Sequence, residues 1–137
     1  MTDTATTGTV QAEIQAFYDR YIAAWNAQDF PAVADCYAEP AMFLLPTATV
    51  SLPDRAAMIA MLETLFARLR GEGFSHSDFD SLTVKPCGEG MAIADARTVK
   101  RLRSDGSAIE TIDAHYVLRK EGGDWRFTVT VTCEPGW

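Results

Sequence analysis

An aspartate and an arginine two residues apart, Asp95 and Arg97, lie in the run Met91–Arg103, whose alternation of apolar and polar residues reads as a strand. Residues two apart on a strand share a face. Facing a pocket, Asp95 would act as an acid or base, with Arg97, Tyr21 and Tyr116 as electrostatic donors. Facing water, the two side chains would be an ordinary structural pair on the sheet. His76 and Asp78 also share a face by the same period, at a strand end where solvation is the simpler reading. Cys133 has no histidine on its face and reads as a small apolar filler. Cys36, Cys87 and Cys133 make no CxxC pair and no zinc spacing, so no metal and no cofactor is expected.

The facing of Asp95 depends on strand register. Gly122-Gly123 forms a two-residue hairpin turn, since both positions tolerate positive φ. It pairs Lys120 with Trp125, Leu118 with Phe127, Tyr116 with Val129, Ala114 with Val131 and Ile112 with Cys133. One face is then Ile112, Ala114, Tyr116 and Leu118 with Phe127, Val129, Val131 and Cys133. The other is Asp113, His115 and Val117 with Thr128, Thr130 and Thr132. A two- or four-residue turn around Asp105-Gly106 sets Val99 opposite Ile112 and Arg97 opposite Ala114, which turns Asp95 and Arg97 inward. A three-residue turn with a bulge turns both outward.

These strands need helices to cover them. Ile14, Phe17, Tyr18, Tyr21, Ile22 and Trp25 fall on one stripe of a 3.6-residue period. Thr9 is positioned to cap that helix. Asp29 caps a short second helix with Pro31 in its first turn and Val33 and Tyr37 as buried contacts. Pro40 ends it, and Ala41–Leu45 reads as a strand followed by a loop or hairpin over 46–53. Asp54 caps a third helix carrying Met58, Met61, Leu62, Leu65, Phe66 and Leu69, stopped at Gly71. Four strands follow, at Phe74–Lys85, Met91–Arg103, Ala108–Lys120 and Trp125–Glu134. Helices first and long hairpins second make an α+β fold.

The chain of 137 residues suits one domain, residues 10–137, behind a polar terminus, residues 1–9, expected to fray. A net charge of -7 argues against nucleic-acid or anionic-membrane partners. The basic cluster Lys100, Arg101 and Arg103 beside Ser104-Asp105-Gly106 reads as a solvated hairpin end. No apolar run is long enough to span a bilayer, and MTDTATTGTV has no signal-peptide pattern. With an odd cysteine count, a cytoplasmic location is expected.

Two stretches, RYIAAWNAQDFPAVADCYAEPAMF (20–43) and YVLRKEGGDWRF (116–127), give the chain a resemblance to the nuclear-transport-factor-2-like superfamily, above all its SnoaL-like branch. The resemblance implies three helices packed on a strongly curved, mixed but mainly antiparallel sheet, forming a cone with an internal, mostly apolar pocket. It identifies fold better than activity, because isomerases, cyclases, dehydratases and hydrolases share it. Tyr21 looks like the helix-one tyrosine of ketosteroid isomerases. Leu45 stands where those enzymes keep their base, so their chemistry is not expected. Their third group, an acid in the penultimate strand, would fall near Asp113 or His115, on the outer face. An epoxide-hydrolase-like relay would take Asp95 and Arg97 but find Asp113 out of phase.

The reading that results is a small-molecule-binding domain for a small apolar or amphipathic molecule, walled by Phe17, Tyr21, Trp25, Phe43, Leu45, Tyr116, Phe127 and Val129. It would be a homodimer through the outer sheet face, with Ala92, Ala94 and Ala96 meeting Thr128, Thr130 and Thr132 of a second copy. Two alternatives stand beside it: a lyase, isomerase or hydrolase using Asp95, and a structural dimerisation module with a filled core.

Overall fold

In a computed structural model describing residues 3–135, with side chains from residue 9 onward, the fold is α+β. Helix α1 (Asp3–Asn26) precedes α2 (Phe30–Ala34), β1 (Tyr37–Leu45), β2 (Ala48–Leu52) and α3 (Arg55–Gly71). Strands β3 (Phe74–Asp78), β4 (Ser81–Pro86), β5 (Met91–Arg103), β6 (Ala108–Glu121) and β7 (Asp124–Cys133) complete it. The sheet order is β2-β1-β7-β6-β5-β3, with β4 also on β5; β1 runs parallel to β7 and every other pair is antiparallel.

The helices form where the apolar stripes and caps place them. Asp29 accepts from the Ala32 N–H at 3.1 Å, and Asp54 from the Ala57 N–H at 2.9 Å, each satisfying a donor that the first helical turn leaves free. Ile14, Phe17, Tyr18, Tyr21 and Trp25 of α1 and Met58, Leu62, Phe66 and Leu69 of α3 are buried against the sheet. Helix α1 starts at Asp3, so Thr9 lies within it and does not cap it. The expected frayed terminus falls mostly on residues whose side chains lie outside those described. Tyr37, expected in the second helix, opens β1 instead, and Pro40 lies within that strand. The strand expected over Phe74–Lys85 is broken in two: β3 pairs with the far half of β5 and β4 with its near half.

Two bulges decide which side chains face the helices. In β7 the pairing of Leu118 with Phe127 holds, but Val117 then pairs with Val129, so one extra residue, Thr128, is inserted. Beyond it Tyr116 meets Thr130 and Ala114 meets Thr132. The expected facing is thereby inverted: Thr130 and Thr132 turn inward, and Val129, Val131 and Cys133 turn outward. A bulge reverses facing because side chains alternate with a period of two.

The second bulge is in β5. Val99 does pair with Ile112, but Ala96 pairs with Ala114, so Arg97 and Thr98 together oppose Asp113. Thr98 takes a left-handed backbone, φ 54°. The turn at Ser104–Gly106 does have three residues, closed by the Arg103 N–H to Ser107 O bond at 2.8 Å, with its own irregularity near Leu102. The flip that matters for Asp95 lies at Arg97–Thr98. Ala92, Ala94 and Ala96 accordingly point into the core, at 0%, 1% and 0% exposure. They cannot be the outer contact face expected of them. Asp95 and Arg97 lie on the outer face.

Candidate functional site

Between α1, α3 and the inner face of the sheet lies a cavity of about 260 Å³. Helix α1 contributes Tyr18, Tyr21, Ile22 and Trp25, one helical stripe, and α3 contributes Met61, Leu65 and Arg68. The sheet contributes Tyr37, Phe43, Val99, Ile112, Ala114 and Tyr116, joined by Thr130 and Thr132 through the β7 bulge. Leu45 and Val50 line it from the β1–β2 hairpin.

The four tyrosines of the chain are gathered here. The Tyr18 and Tyr116 hydroxyls are 3.0 Å apart, as are those of Tyr21 and Tyr37. Tyr21 packs against Tyr18, Tyr37 and Tyr116 with ring centroids 5.5 to 6.4 Å apart. Burial pushes Tyr116 up to about 12 and raises Tyr18, Tyr21 and Tyr37 well above the ordinary tyrosine value. All four are therefore neutral near pH 7, and since one hydroxyl of each pair donates to the other, each pair keeps one O–H to donate elsewhere and none serves as a base.

The ionic part of the wall lies nearer solvent. Glu110 accepts from Arg101 at 2.7 Å and from Arg68 at 3.3 Å. The Arg101 guanidinium carbon is 4.9 Å from the centre of the Trp25 ring, a cation–π distance. Among the described residues, Trp25 Nε1, Ser77 Oγ and Arg101 Nε, buried atoms on residues of this wall, have no hydrogen-bond partner.

Of the expected pocket residues, Tyr21, Trp25, Phe43, Leu45 and Tyr116 line the cavity. Phe17 and Phe127 lie one layer deeper, with ring centroids 5.0 Å apart, and Phe127 stacks on Tyr116 at 4.5 Å. Val129 is on the opposite face of the sheet because of the β7 bulge. Asp95 and Arg97 do not line the cavity either. Asp95 Oδ1 is 2.6 Å from His115 Nδ1, and Arg97 Nη1 donates to Asp113 Oδ2 at 2.9 Å, both on the outer face. Of the two facings that the register left open for Asp95 and Arg97, the outward one is found, as two separate pairs. His76 is exposed, with its Nδ1 3.2 Å from Ser75 Oγ. Among the described residues, no group of three His, Cys, Asp or Glu side chains is placed to hold a metal ion.

Arg101 and Glu110 were missed as cavity residues, although the signal was present. Val99 and Ile112 were assigned inward, and the period of two carries that facing to Arg101 and Glu110. The basic cluster is consequently not one solvated hairpin end: the Arg101 side chain is only 14% exposed. Tyr37 and Thr130 depended on a strand start and a bulge that alternation alone does not reveal.

The sequence model of a family described as NTF2-like protein (DUF6841) matches residues 12–135. No curated protein matches the chain. Among solved structures, Aln2 from a Streptomyces species superposes with a TM-score of 0.76 at 22% identity, covering 92% of this chain and 91% of that one. An NTF2-like protein with a cystatin-like fold from Novosphingobium aromaticivorans gives a TM-score of 0.77 at 20% identity, covering 98% and 89%. A protein from Catenulispora acidiphila, solved in complex with S-DNPA, gives 0.72 at 19% identity, covering 91% and 94%. At these identities the likeness establishes the cystatin-like fold.

Proposed function

The chain belongs to the NTF2-like family DUF6841, and from that premise we propose that it binds one small, largely apolar molecule in the cavity between α1, α3 and the sheet. The observation that carries this reading is the cavity itself, about 260 Å³ walled by aromatic rings and bearing two buried hydroxyl pairs. Concave apolar sites with a few convergent polar groups are where small molecules bind. A volume just under the usual range for drug-sized ligands, roughly 300 to 1,000 Å³, suits a molecule of one or two rings. That the Catenulispora protein of the same fold was solved with S-DNPA is consistent with this use of the fold.

Binding is favoured over proton transfer by the state of the ionisable groups. The tyrosines are held neutral by burial, and Glu110, the carboxylate of the wall, has its oxygens engaged by Arg101 and Arg68 at 2.7 and 3.3 Å. A filled structural core is disfavoured by the size of the cavity. The reading includes a homodimer, with a second copy covering the outer sheet face. That face presents Met42, Met91 and Ile93, 37%, 44% and 41% exposed, around half-buried Val117, Val129 and Val131. It also includes a cytoplasmic location, in keeping with Cys36, Cys87 and Cys133 as free thiols. No described helix is long and apolar enough to cross a membrane.

The test is calorimetric titration with naphthylmethanol, a neutral two-ring probe, of the protein and of Ala114→Phe, which projects a ring into the cavity. Saturable binding at one molecule per protomer, lost in Ala114→Phe, is expected. Absence of binding, or binding that survives the substitution, contradicts the reading.

A further inference from the structure

The hydroxyl groups of the cavity wall hold more protons than they share among themselves. Tyr18 is bonded to Tyr116, and Tyr21 to Tyr37, each at 3.0 Å between hydroxyl oxygens. Tyr116 also has Tyr21 as a hydrogen-bond partner, and Tyr37 has Thr130. The hydroxyls thus form one open row, running from Tyr18 through Tyr116, Tyr21 and Tyr37 to Thr130. Every residue of the row lines the cavity.

A neutral hydroxyl has one proton to donate, and burial keeps these tyrosines neutral. Five hydroxyls joined by four bonds keep one proton over, whichever way the bonds point. Among the described residues, no acceptor outside the row is bonded to any of its members. A buried O–H left undonated costs about 1 to 3 kcal/mol. The acceptor for it has to come from the cavity.

The same count indicates the chemistry of that acceptor. A carbonyl oxygen accepts and brings no proton, so with it every proton of the row is used. An alcohol joined to the row by one bond brings a proton of its own and leaves the excess unchanged. A water molecule brings two. The acceptor is also neutral, because the charges of the wall already balance. Arg68 and Arg101 are paired with Glu72 and Glu110, two positive against two negative. The row itself is packed in rings, Phe43 on Tyr37 and Phe127 on Tyr116, with centroids 5.4 and 4.5 Å apart. Burying an unpaired anion among them is costly.

Resting on the binding function proposed above, we infer that the cavity selects an apolar ring compound bearing a neutral carbonyl group, whose oxygen accepts the spare proton of the tyrosine row. The selection acts between molecules of one size and shape: the ketone is preferred to its own alcohol.

The experiment is calorimetric titration with naphthyl methyl ketone and with the secondary alcohol made by its reduction, which share one carbon skeleton. The ketone is expected to bind at least about threefold tighter, the scale of one buried hydrogen bond. Infrared difference spectra are expected to place the carbonyl stretch of the bound ketone below its frequency in hexane. That shifted band is expected to vanish in Ala114→Phe, whose ring fills the cavity. The two measurements on the wild-type protein carry the test should Ala114→Phe fail to fold. A smaller preference for the ketone, a preference for the alcohol or an unshifted carbonyl band overturns the carbonyl inference and leaves the binding function standing. Binding of neither compound, or a shifted band that survives Ala114→Phe, overturns both.

Discussion

Asp113 holds the backbone of Thr98 in place: its Oδ1 accepts the Thr98 N–H at 2.8 Å while its Oδ2 receives Arg97 Nη1 at 2.9 Å. Asp113 is 1% exposed, and Thr98 is a β-branched residue at φ 54°, a conformation such residues rarely adopt. One carboxylate thus fixes both residues of the bulge that turns Asp95 and Arg97 away from the cavity.

Asp113→Ala leaves the Thr98 N–H and Arg97 without these bonds, and a loss of about 3 kcal/mol is expected in denaturant unfolding. Asp113→Asn keeps an acceptor for Thr98 and should lose less. Thr98→Gly removes the left-handed penalty and should gain up to about 1 kcal/mol, the remainder offset by glycine's extra chain entropy. A Thr98→Gly variant less stable than wild type by more than that amount would refute the account of the bulge.

The tyrosine cluster predicts a specific alkaline response. Burial raises the folded-state value of each tyrosine above its ordinary 10, to about 12 for Tyr116. A group raised in this way contributes stability fully below the unfolded value and loses it as pH climbs toward the folded one. Stability should therefore fall from about pH 10 toward about pH 12. Because the chain has only these four tyrosines, tyrosinate absorbance should appear together with loss of tertiary structure. A tyrosine that titrates near pH 10 while the fold remains intact would contradict the buried cluster.

The buried Ser77 hydroxyl predicts a small response in stability. Ser77→Ala removes a 4% exposed serine's orphaned hydroxyl and should leave the empty protein's melting temperature unchanged or raised, by up to about 1 kcal/mol in stability. A marked loss would mean that Ser77 Oγ has a structural partner in solution.

The outer face predicts an association state. Sedimentation at micromolar concentration should give twice the chain mass, and Ile93→Lys, which places a charge at a 41% exposed apolar position, should give the single-chain mass with the fold intact. A wild-type monomer would remove the dimer from the reading.

The helices and the order of elements were legible because their signals are local: the Ile14–Trp25 stripe, the Asp29 and Asp54 caps and the Gly122-Gly123 turn each act within a few residues. The resemblance seen in residues 20–43 and 116–127 led to the right family. Strand facing was legible only up to the first bulge. Leu118 with Phe127 and Val99 with Ile112 pair as their turns dictate, and past Thr128 and Thr98 the assignments invert. Neither bulge is announced by a glycine. The β5 bulge is held by Asp113, from the neighbouring strand, and the Thr128 hydroxyl bonds Val117 O at 3.0 Å. Such contacts exist only once the sheet has formed. Hence Val129 was placed inward, the facing of Asp95 and Arg97 stayed open between two registers, and Thr130, Arg101 and Glu110 were overlooked.

The most direct measurement is of intermolecular nuclear Overhauser effects between bound naphthylmethanol and the protein's methyl groups. Contacts to Val99, Ile112 and Ala114 are predicted, since these line the cavity. Contacts to Val129 and Val131 on the outer face instead, or to no methyl group at all, would contradict both the site and the strand facing that builds it.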